Sequence, residues 1–369
     1  MKILIIGHMH TKRDKRVFKT VEMLSREHKV IYQYYSTEEH KSYQEGNITY
    51  IPLRYSDPIS LPNKINFKVK LKNIKNLAKI EEKILMLIKE MDYDILYFHY
   101  FLTRFPLKSF KIAKKRNKKI IYDIHEYHPE NYYKHLSGIK KALKEKIMWY
   151  ILKKQFIMSD KLIFVSKEMK EDMYKILKIK KPYLIVPNYA NVTLKTSKKE
   201  KEIVFVGKTP RNIDYEKEII NKLILFGFKF KIIGMDSEYF KDIPHEFTSF
   251  LPYEEMMKEL SKASFSLVSY ESFGNEQKNY FYSFPHKFFD SIAAGTPVII
   301  NKNFISMANE VKKHNIGVVI DPKDVNGSVQ QVMKAYENYS SILENIEKFK
   351  NLYVWDKEKE KAFINFILN

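Results

Sequence analysis

Cysteine is absent from the 369 residues. That excludes a disulfide scaffold, a thiol nucleophile, a cysteine zinc site and an iron–sulfur cluster. Glycine is scarce at ten residues, which leaves little material for glycine-rich loops that cradle phosphate with backbone N–H groups. The turn after the opening apolar run reads Gly7-His8-Met9-His10, not G-x-G-x-x-G, so a dehydrogenase-type dinucleotide fold is disfavoured. The P-loop lysine motif, H-E-x-x-H and G-x-S-x-G are missing too. His125 and His128 stand three apart, whereas a zincin helix needs its two histidines four apart. Nothing in the sequence calls for a metal or a resident cofactor. Long apolar runs are also lacking: no uncharged stretch approaches the ~18 residues of a membrane span. The run at residues 3–6 is shorter than the ~7–15 residues of a secretory core, and Lys12, Arg13, Lys15 and Arg16 follow it. The expectation is a cytoplasmic chain, not integral to a membrane.

Hydrophobic residues make up 44%, enough for ordinary buried cores, and the length suits two to three domains. The formal charge is +21. Residues 1–195 carry 41 lysines and arginines against 20 acids, while residues 196–369 carry 24 of each. The whole excess lies in the first half, which implies an anionic partner for that half. Stretches 64–79 and 111–119 contain no acid at all. The first sets Phe67, Leu71, Ile74 and Leu77 at helical spacing among lysines, a pattern shared by helices that lie on anionic lipid and by the solvated faces of lysine-rich proteins. Membrane surface and acceptor phosphate both remain open as the anion. No RNP aromatics, zinc finger or bZIP pattern accompanies the charge, so nucleic acid is not expected.

Short apolar runs alternate with helical patterns. Strands are predicted at 2–6, 29–34, 48–51, 95–99, 119–123, 161–165 and 183–186, with helices at 16–27, 67–90, 107–116, 139–157 and 167–177. Such fully apolar strands suit a buried parallel sheet, and their alternation with helices gives a doubly wound α/β domain. Residues 187–201 are polar and aperiodic and read as a linker. A second series follows: strands at 203–206, 228–233, 265–269, 298–300 and 317–320, and helices at 213–226, 253–261, 287–294, 305–312 and 325–338. The expected fold is α/β, with two Rossmann-like doubly wound domains facing a central cleft. Their expected bounds are 1–190 and 202–350, joined by 191–201 and closed by a helix within 351–369 that packs back on the first domain.

One segment combines several chemical cues. In Ser283-Phe284-Pro285-His286-Lys287-Phe288-Phe289-Asp290, Pro285 suits a first helical turn, and Lys287 and Asp290 share one helix face. A helix N-terminus with a cation in its first turn can hold diphosphate, and a carboxylate one turn on can hold a ribose. A surface helix with an incidental Lys–Asp pair has the same spacing.

The run from Ser283 to Ile299 resembles the donor-site helix of GT-B glycosyltransferases of family 4, and specifically the subgroup that reads P-x-K at this point. The resemblance continues along the chain. Asp14-Lys15-Arg16-Val17 with the helix ending at Val30 resembles the family's opening segment. Residues 121–130 resemble its D-x-H-E…P-E segment, and residues 159–166 its A-D-x-I-I-x-V-S strand. Residues 185–188 and 204–208 resemble the end of its first domain and the first strand of its second. The order and spacing of these pieces are more specific than any one of them.

The resemblance implies roles residue by residue. Lys208 and Arg211 are similar to the basic pair that grips the donor diphosphate, and Lys287 to the cation that opens the donor helix. Backbone N–H groups near Ser283 and Phe284 would meet phosphate or sugar oxygens. Asp290 takes the place of a ribose-binding glutamate, one methylene shorter, and the other glutamate of that motif is replaced by Tyr282. His125 resembles the first-domain histidine that faces the donor sugar, and Gly7 the small residue that admits substrate to the first turn. The implied activity is retaining, metal-independent transfer of a hexose from a nucleotide-diphosphate sugar. The implied acceptor is a saccharide or lipid-linked saccharide of cell-surface polysaccharide or glycolipid synthesis. The implied location is the cytoplasm, peripheral on the inner face of the membrane. No carboxylate pair suited to hydrolysis is apparent. A GT-B-like protein that binds nucleotide-sugar or polyanion without catalysis is the alternative, and a nucleotide-sugar 2-epimerase on the same fold is a weaker third.

Overall fold

The computed structural model describes residues 1–54, 67–99, 107–207, 213–214, 216–236, 238–269 and 277–369, with backbone only at 67–77 and 239. The chain divides into two compact units. The first comprises Met1–Val165, Lys170–Ile185 and Glu358–Asn369, the second Ser166–Met169 and Val186–Lys357.

The first unit is built on eight strands: β1 (Lys2–Thr11), β2 (Lys29–Ser36), β3 (Tyr43–Glu45), β4 (Ile48–Arg54), β5 (Ile95–His99), β6 (Lys119–Ile124), β7 (Lys161–Phe164) and β8 (Tyr183–Ile185). They form one sheet in the order β3-β4-β2-β1-β5-β6-β7-β8, and every pairing is parallel except β3 with β4. Its helices are α1 (Lys15–Ser25), α2 (Phe67–Glu90), α3 (Lys108–Lys115), α4 (Gly138–Met158) and most of α5 (Lys167–Leu177). Ile3 to Ile6 and Ile95 to Phe98 are fully buried, as strands covered on both faces must be. Phe110 of α3 stacks on Phe98 at 4.6 Å, and Phe156 of α4 meets Phe164 edge-on at 5.9 Å. Truncating such a phenylalanine to alanine costs roughly 3–5 kcal/mol.

The second unit restarts the alternation with β9 (Glu200–Gly207), α6 (Lys217–Leu225), β10 (Lys229–Gly234), β11 (Glu246–Ser249), α7 (Tyr253–Lys262) and β12 (Ala263–Val268). It continues through α8 (Lys278–Tyr282), α9 (His286–Ala293), β13 (Val298–Asn301), α10 (Ile305–His314), β14 (Gly317–Ile320), α11 (Val325–Glu337) and α12 (Tyr339–Phe349). Its six strands run β11-β10-β9-β12-β13-β14, all parallel. The helix α13 (Lys357–Leu368) belongs to the first unit from Glu358 on. Phe363 lies 6.5 Å from Tyr97, Arg26 pairs with Glu360, and the Lys119 ammonium donates to the Leu368 carbonyl at 2.9 Å. A cation there also suits the negative end of the helix dipole.

The predicted strand series is present, with differences that have local causes. The sequence ends the first strand at residue 6, but β1 runs on to Thr11 because Gln33 clamps its outer half: the His8 N–H donates to Gln33 Oε1 at 2.8 Å, and Gln33 Nε2 donates to the His8 carbonyl at 3.1 Å. Glu200 and Lys201, assigned to the linker, open β9. The stretch before them packs into the second unit. The Leu194 N–H bonds the Ala293 carbonyl at 2.9 Å, and the Lys199 ammonium bonds the Ser261 carbonyl and Thr296 Oγ1 at 2.7 and 2.9 Å. Helix α2 is present, while the side chains of Phe67, Leu71, Ile74 and Leu77 lie outside the described residues. Among the described residues no helix is long and apolar enough to cross a membrane.

Candidate active site

Both sheets reverse strand order beside their first strand. From β1 the chain builds outward to β2 and β4, then returns to place β5 on the other side; β9 is flanked in the same way by β10 and β12. The crevice at the carboxyl end of such a reversal is where open α/β sheets bind ligands. Buried polar and charged side chains stand at both reversals.

In the first unit, β1 ends in His8 and His10, β5 in His99, and β6 in Asp123, with His125 just beyond. Register pairs His99 with Asp123. Period-2 alternation puts Asp123 and His125 on one face. The His99 and His125 rings are bonded Nδ1 to Nε2 at 3.0 Å, and each approaches Asp123 Oδ2 at 3.5 Å. Arg16, from the first turn of α1, donates to both Asp123 oxygens at 2.7 and 3.3 Å, and the Tyr97 hydroxyl donates to Oδ2 at 2.9 Å. Asp14 caps α1 by accepting from the N–H groups of Arg16 and Val17, and it also contacts His10 Nδ1 at 3.2 Å. His10 in turn lies 5.3 Å from His125, ring to ring. His8 adopts φ +51°, a conformation that L residues rarely take, and the Gln33 clamp holds it there.

Burial dominates the titration of this cluster. It pushes His99 well below the usual imidazole range and also lowers His125, although Asp123 pulls both the other way. It lowers His8 to about 4. For Asp123 burial acts upward, but the Arg16 guanidinium and His125 outweigh it and hold the carboxyl far below the usual range. Near neutral pH the cluster therefore sets an ionised Asp123–Arg16 pair beside neutral His99 and His125. His99, Asp123 and His125 offer ligand atoms within 4.8 Å of one another, a spacing that would suit a metal ion. Both Asp123 oxygens already accept from Arg16, however, which favours a hydrogen-bonded network over a metal centre.

In the second unit, α9 starts after Pro285 and carries Lys287 in its first turn. The Lys287 ammonium donates to the Ser269 carbonyl at 2.9 Å, just past β12, and lies 4.5 Å above the Phe205 ring of β9. It thus stands at the reversal between β9 and β12. Beside it, buried Glu216 bonds Asn301 at the end of β13 at 3.4 Å. Burial raises the Glu216 carboxyl to about 7, with Ser269, Asn301 and Lys287 acting the other way. Gly207 and Gly234 end β9 and β10 side by side: a Cβ on Gly234 would sit 2.0 Å from the Gly207 carbonyl oxygen.

The sequence-predicted residues are placed unevenly. His125 and Lys287 each stand at a strand reversal. Lys208 and Arg211 lie outside the described residues. Asp290 is only 4% exposed, and its Oδ1 accepts from the Tyr253 hydroxyl at 2.8 Å. The Phe284 ring is buried against Phe288 and Phe289, and its carbonyl accepts from Asn188 at 2.7 Å. Ser283 Oγ bonds the Tyr280 carbonyl at 3.4 Å. At Gly7 a Cβ would meet the Gln33 carbonyl oxygen at 2.8 Å, so crowding from β2 alone demands glycine there. Sequence reasoning missed the network around His125 and missed Glu216 and Tyr253. Only the alternation of Asp123 and His125 at a strand end was a usable signal.

Residues 21–193 match Glycosyltransferase Family 4, and residues 203–356 match the Glucosyltransferase 3-like, C-terminal domain. The family 4 match spans just under half of the chain, and the fold is GT-B-like, two largely parallel α/β sheets. No curated protein matches it. Solved structures share the fold over essentially the whole length. Sucrose-phosphate synthase from Thermosynechococcus elongatus is 13% identical with a TM-score of 0.67, covering 99% of this chain and 98% of that one. HepE from Anabaena, solved in complex with UDP, is 10% identical with a TM-score of 0.63 and 99% coverage of both chains. WaaG, a glycosyltransferase involved in lipopolysaccharide biosynthesis, is 11% identical with a TM-score of 0.62 and 100% coverage of both.

Proposed function

We propose that this glycosyltransferase transfers a hexose, with retention, from a nucleotide-diphosphate sugar to a saccharide or lipid-linked saccharide acceptor of cell-surface polysaccharide or glycolipid synthesis. The second unit holds the donor and the basic first unit holds the acceptor. The supporting observation is the Lys287 ammonium at the β9–β12 reversal, in the first turn of α9. Breaking the bond between the anomeric carbon and the diphosphate oxygen leaves negative charge on that oxygen. A fixed ammonium and the positive end of a helix stabilise this charge without reorganisation. Lys208 and Arg211 extend that grip. The acceptor oxygen forms the new bond on the same face of the sugar, and its proton passes to the departing phosphate oxygen. Neutral His125 contacts the donor sugar, and Asp290, sharing the Tyr253 hydroxyl, meets the ribose. The residues that take up the leaving charge make a metal unnecessary, so turnover survives a chelator.

Incubation with UDP-, GDP- and ADP-sugars tests the reading through slow donor hydrolysis. Hydrolysis of one donor that Lys287→Ala abolishes supports it. Undiminished hydrolysis in that variant overturns the donor-site assignment, and tight donor binding with no turnover identifies the non-catalytic alternative.

A further inference from the structure

Helix α4 is apolar on two opposite faces. Met148, Leu152 and Phe156 are buried and fix it to the first unit. On the far side, Ile139 is 88% exposed, Leu143 60% and Tyr150 56%, and Ile147 and Ile157 are exposed as well. At 100° per residue these five fall within an arc of ~80°, and from Ile139 to Ile157 the stripe runs ~27 Å along the helix. Lys146 and Lys153 border it on one side and Lys140 and Lys144 on the other, while the Lys154 ammonium lies 5.5 Å from the Tyr150 ring within it. The helix carries six lysines and one acid, Glu145.

We infer that this outer face of α4 docks the first unit on an anionic lipid surface. Isolated exposed apolar residues are ordinary, but a continuous stripe with cations on both borders is the pattern of a helix lying in a membrane interface. The apolar stripe enters the acyl boundary, and the lysine stems extend to place ammonium groups among the head groups. A second copy of the chain is the poorer occupant, because apposing two such faces sets five lysines against five. The charge sign selects an anionic rather than a neutral surface. The inference gives the proposed function its membrane contact and does not depend on the chemistry at Lys287.

Co-sedimentation with vesicles tests it, using phosphatidylcholine alone and phosphatidylcholine with about a third phosphatidylglycerol. The full chain should bind the anionic vesicles, bind the neutral ones weakly, and release as salt rises. Combining Ile139→Ser, Leu143→Ser and Ile147→Ser should lower anionic-vesicle binding about tenfold or more, with circular dichroism and donor hydrolysis unchanged because these positions are solvent-facing. Lys140→Gln with Lys144→Gln should weaken binding and flatten its salt dependence. Equal binding to both vesicle types, or undiminished binding by the triple variant, overturns the inference. So does a wild-type dimer that the triple variant abolishes, which would make the face a self-association surface. Loss of donor hydrolysis in Lys287→Ala with vesicle binding intact separates the two proposals.

Discussion

Replacing Arg16 by methionine keeps the stem of the side chain and removes its charge, leaving Asp123 as a buried carboxylate without a cation. The Arg16 and Asp123 side chains are 9% and 2% exposed, so solvent screens the pair little. Removing one partner of a buried pair costs roughly 3–5 kcal/mol. The Tyr97 hydroxyl, 2.9 Å from Oδ2, remains and puts the expected loss near the lower end, about 3 kcal/mol. The pH dependence follows from the direction of the Asp123 shift. Its carboxyl is held below the unfolded value of about 3.9, so its stabilisation is complete above that pH and lost as pH falls. In Arg16→Met, burial acts unopposed by a guanidinium and raises the carboxyl, which then takes up a proton in mild acid. The variant's deficit should therefore shrink as pH falls from about 7 toward 5. The readout is built into the sequence: of the two tryptophans, Trp149 lies in the first unit and Trp355 in the second. Urea unfolding in a Trp355→Phe background, followed by Trp149 emission, isolates the unit of interest. Adding Asp123→Asn to Arg16→Met should recover most of the loss. A deficit under about 1 kcal/mol, or one unchanged between neutral and mildly acid pH, would refute the ion-pair account.

Other outcomes are open to direct measurement. Lys287→Ala should cut donor turnover about 100-fold or more in a kinetic assay while the melting temperature holds, as expected for a charge used at the transition state. Tyr253→Phe should cost about 1–3 kcal/mol in denaturant unfolding, because it removes a hydrogen-bond donor from buried Asp290. Glu216→Gln should stabilise the protein by up to about 3 kcal/mol near pH 8 and leave it little changed near pH 5. The folded-state carboxyl, raised to about 7, binds its proton more tightly than the unfolded one, so wild-type stability declines as pH rises through that window. Thermal shift across that range reads the difference.

The central strands were legible because burial on both faces leaves unbroken apolar runs. The edges were not. β3 and β11 are largely exposed, and Tyr43–Glu45 and Glu246–Ser249 carry no pattern that separates a strand from a loop. Helix α12 escaped because Asn338 closes the pattern before it, although Ile342 and Ile346 repeat at helical spacing. At the first reversal, Asp123 and His125 are two residues apart and readable as a pair. Arg16 is 107 residues from Asp123, and His99 is 26 from His125. Only the strand order β1-β5-β6 brings them together, and that order is a tertiary fact. Asp290 shows the converse. Its spacing from Lys287 gave the shared helix face, but not that Tyr253 of α7 would already hold it.

The ribosome delivers Glu358 to Leu368 of α13 only after every residue of the second unit, yet this stretch is a part of the first. Until Phe363 emerges, the ring of Tyr97 that leans on Asp123 has no cover from it. The amino-terminal half must therefore wait, incomplete, through the synthesis of its neighbour. A nascent chain arrested between residues 126 and 356 carries every histidine of the first-unit cluster but lacks the helix whose Phe363 faces Tyr97.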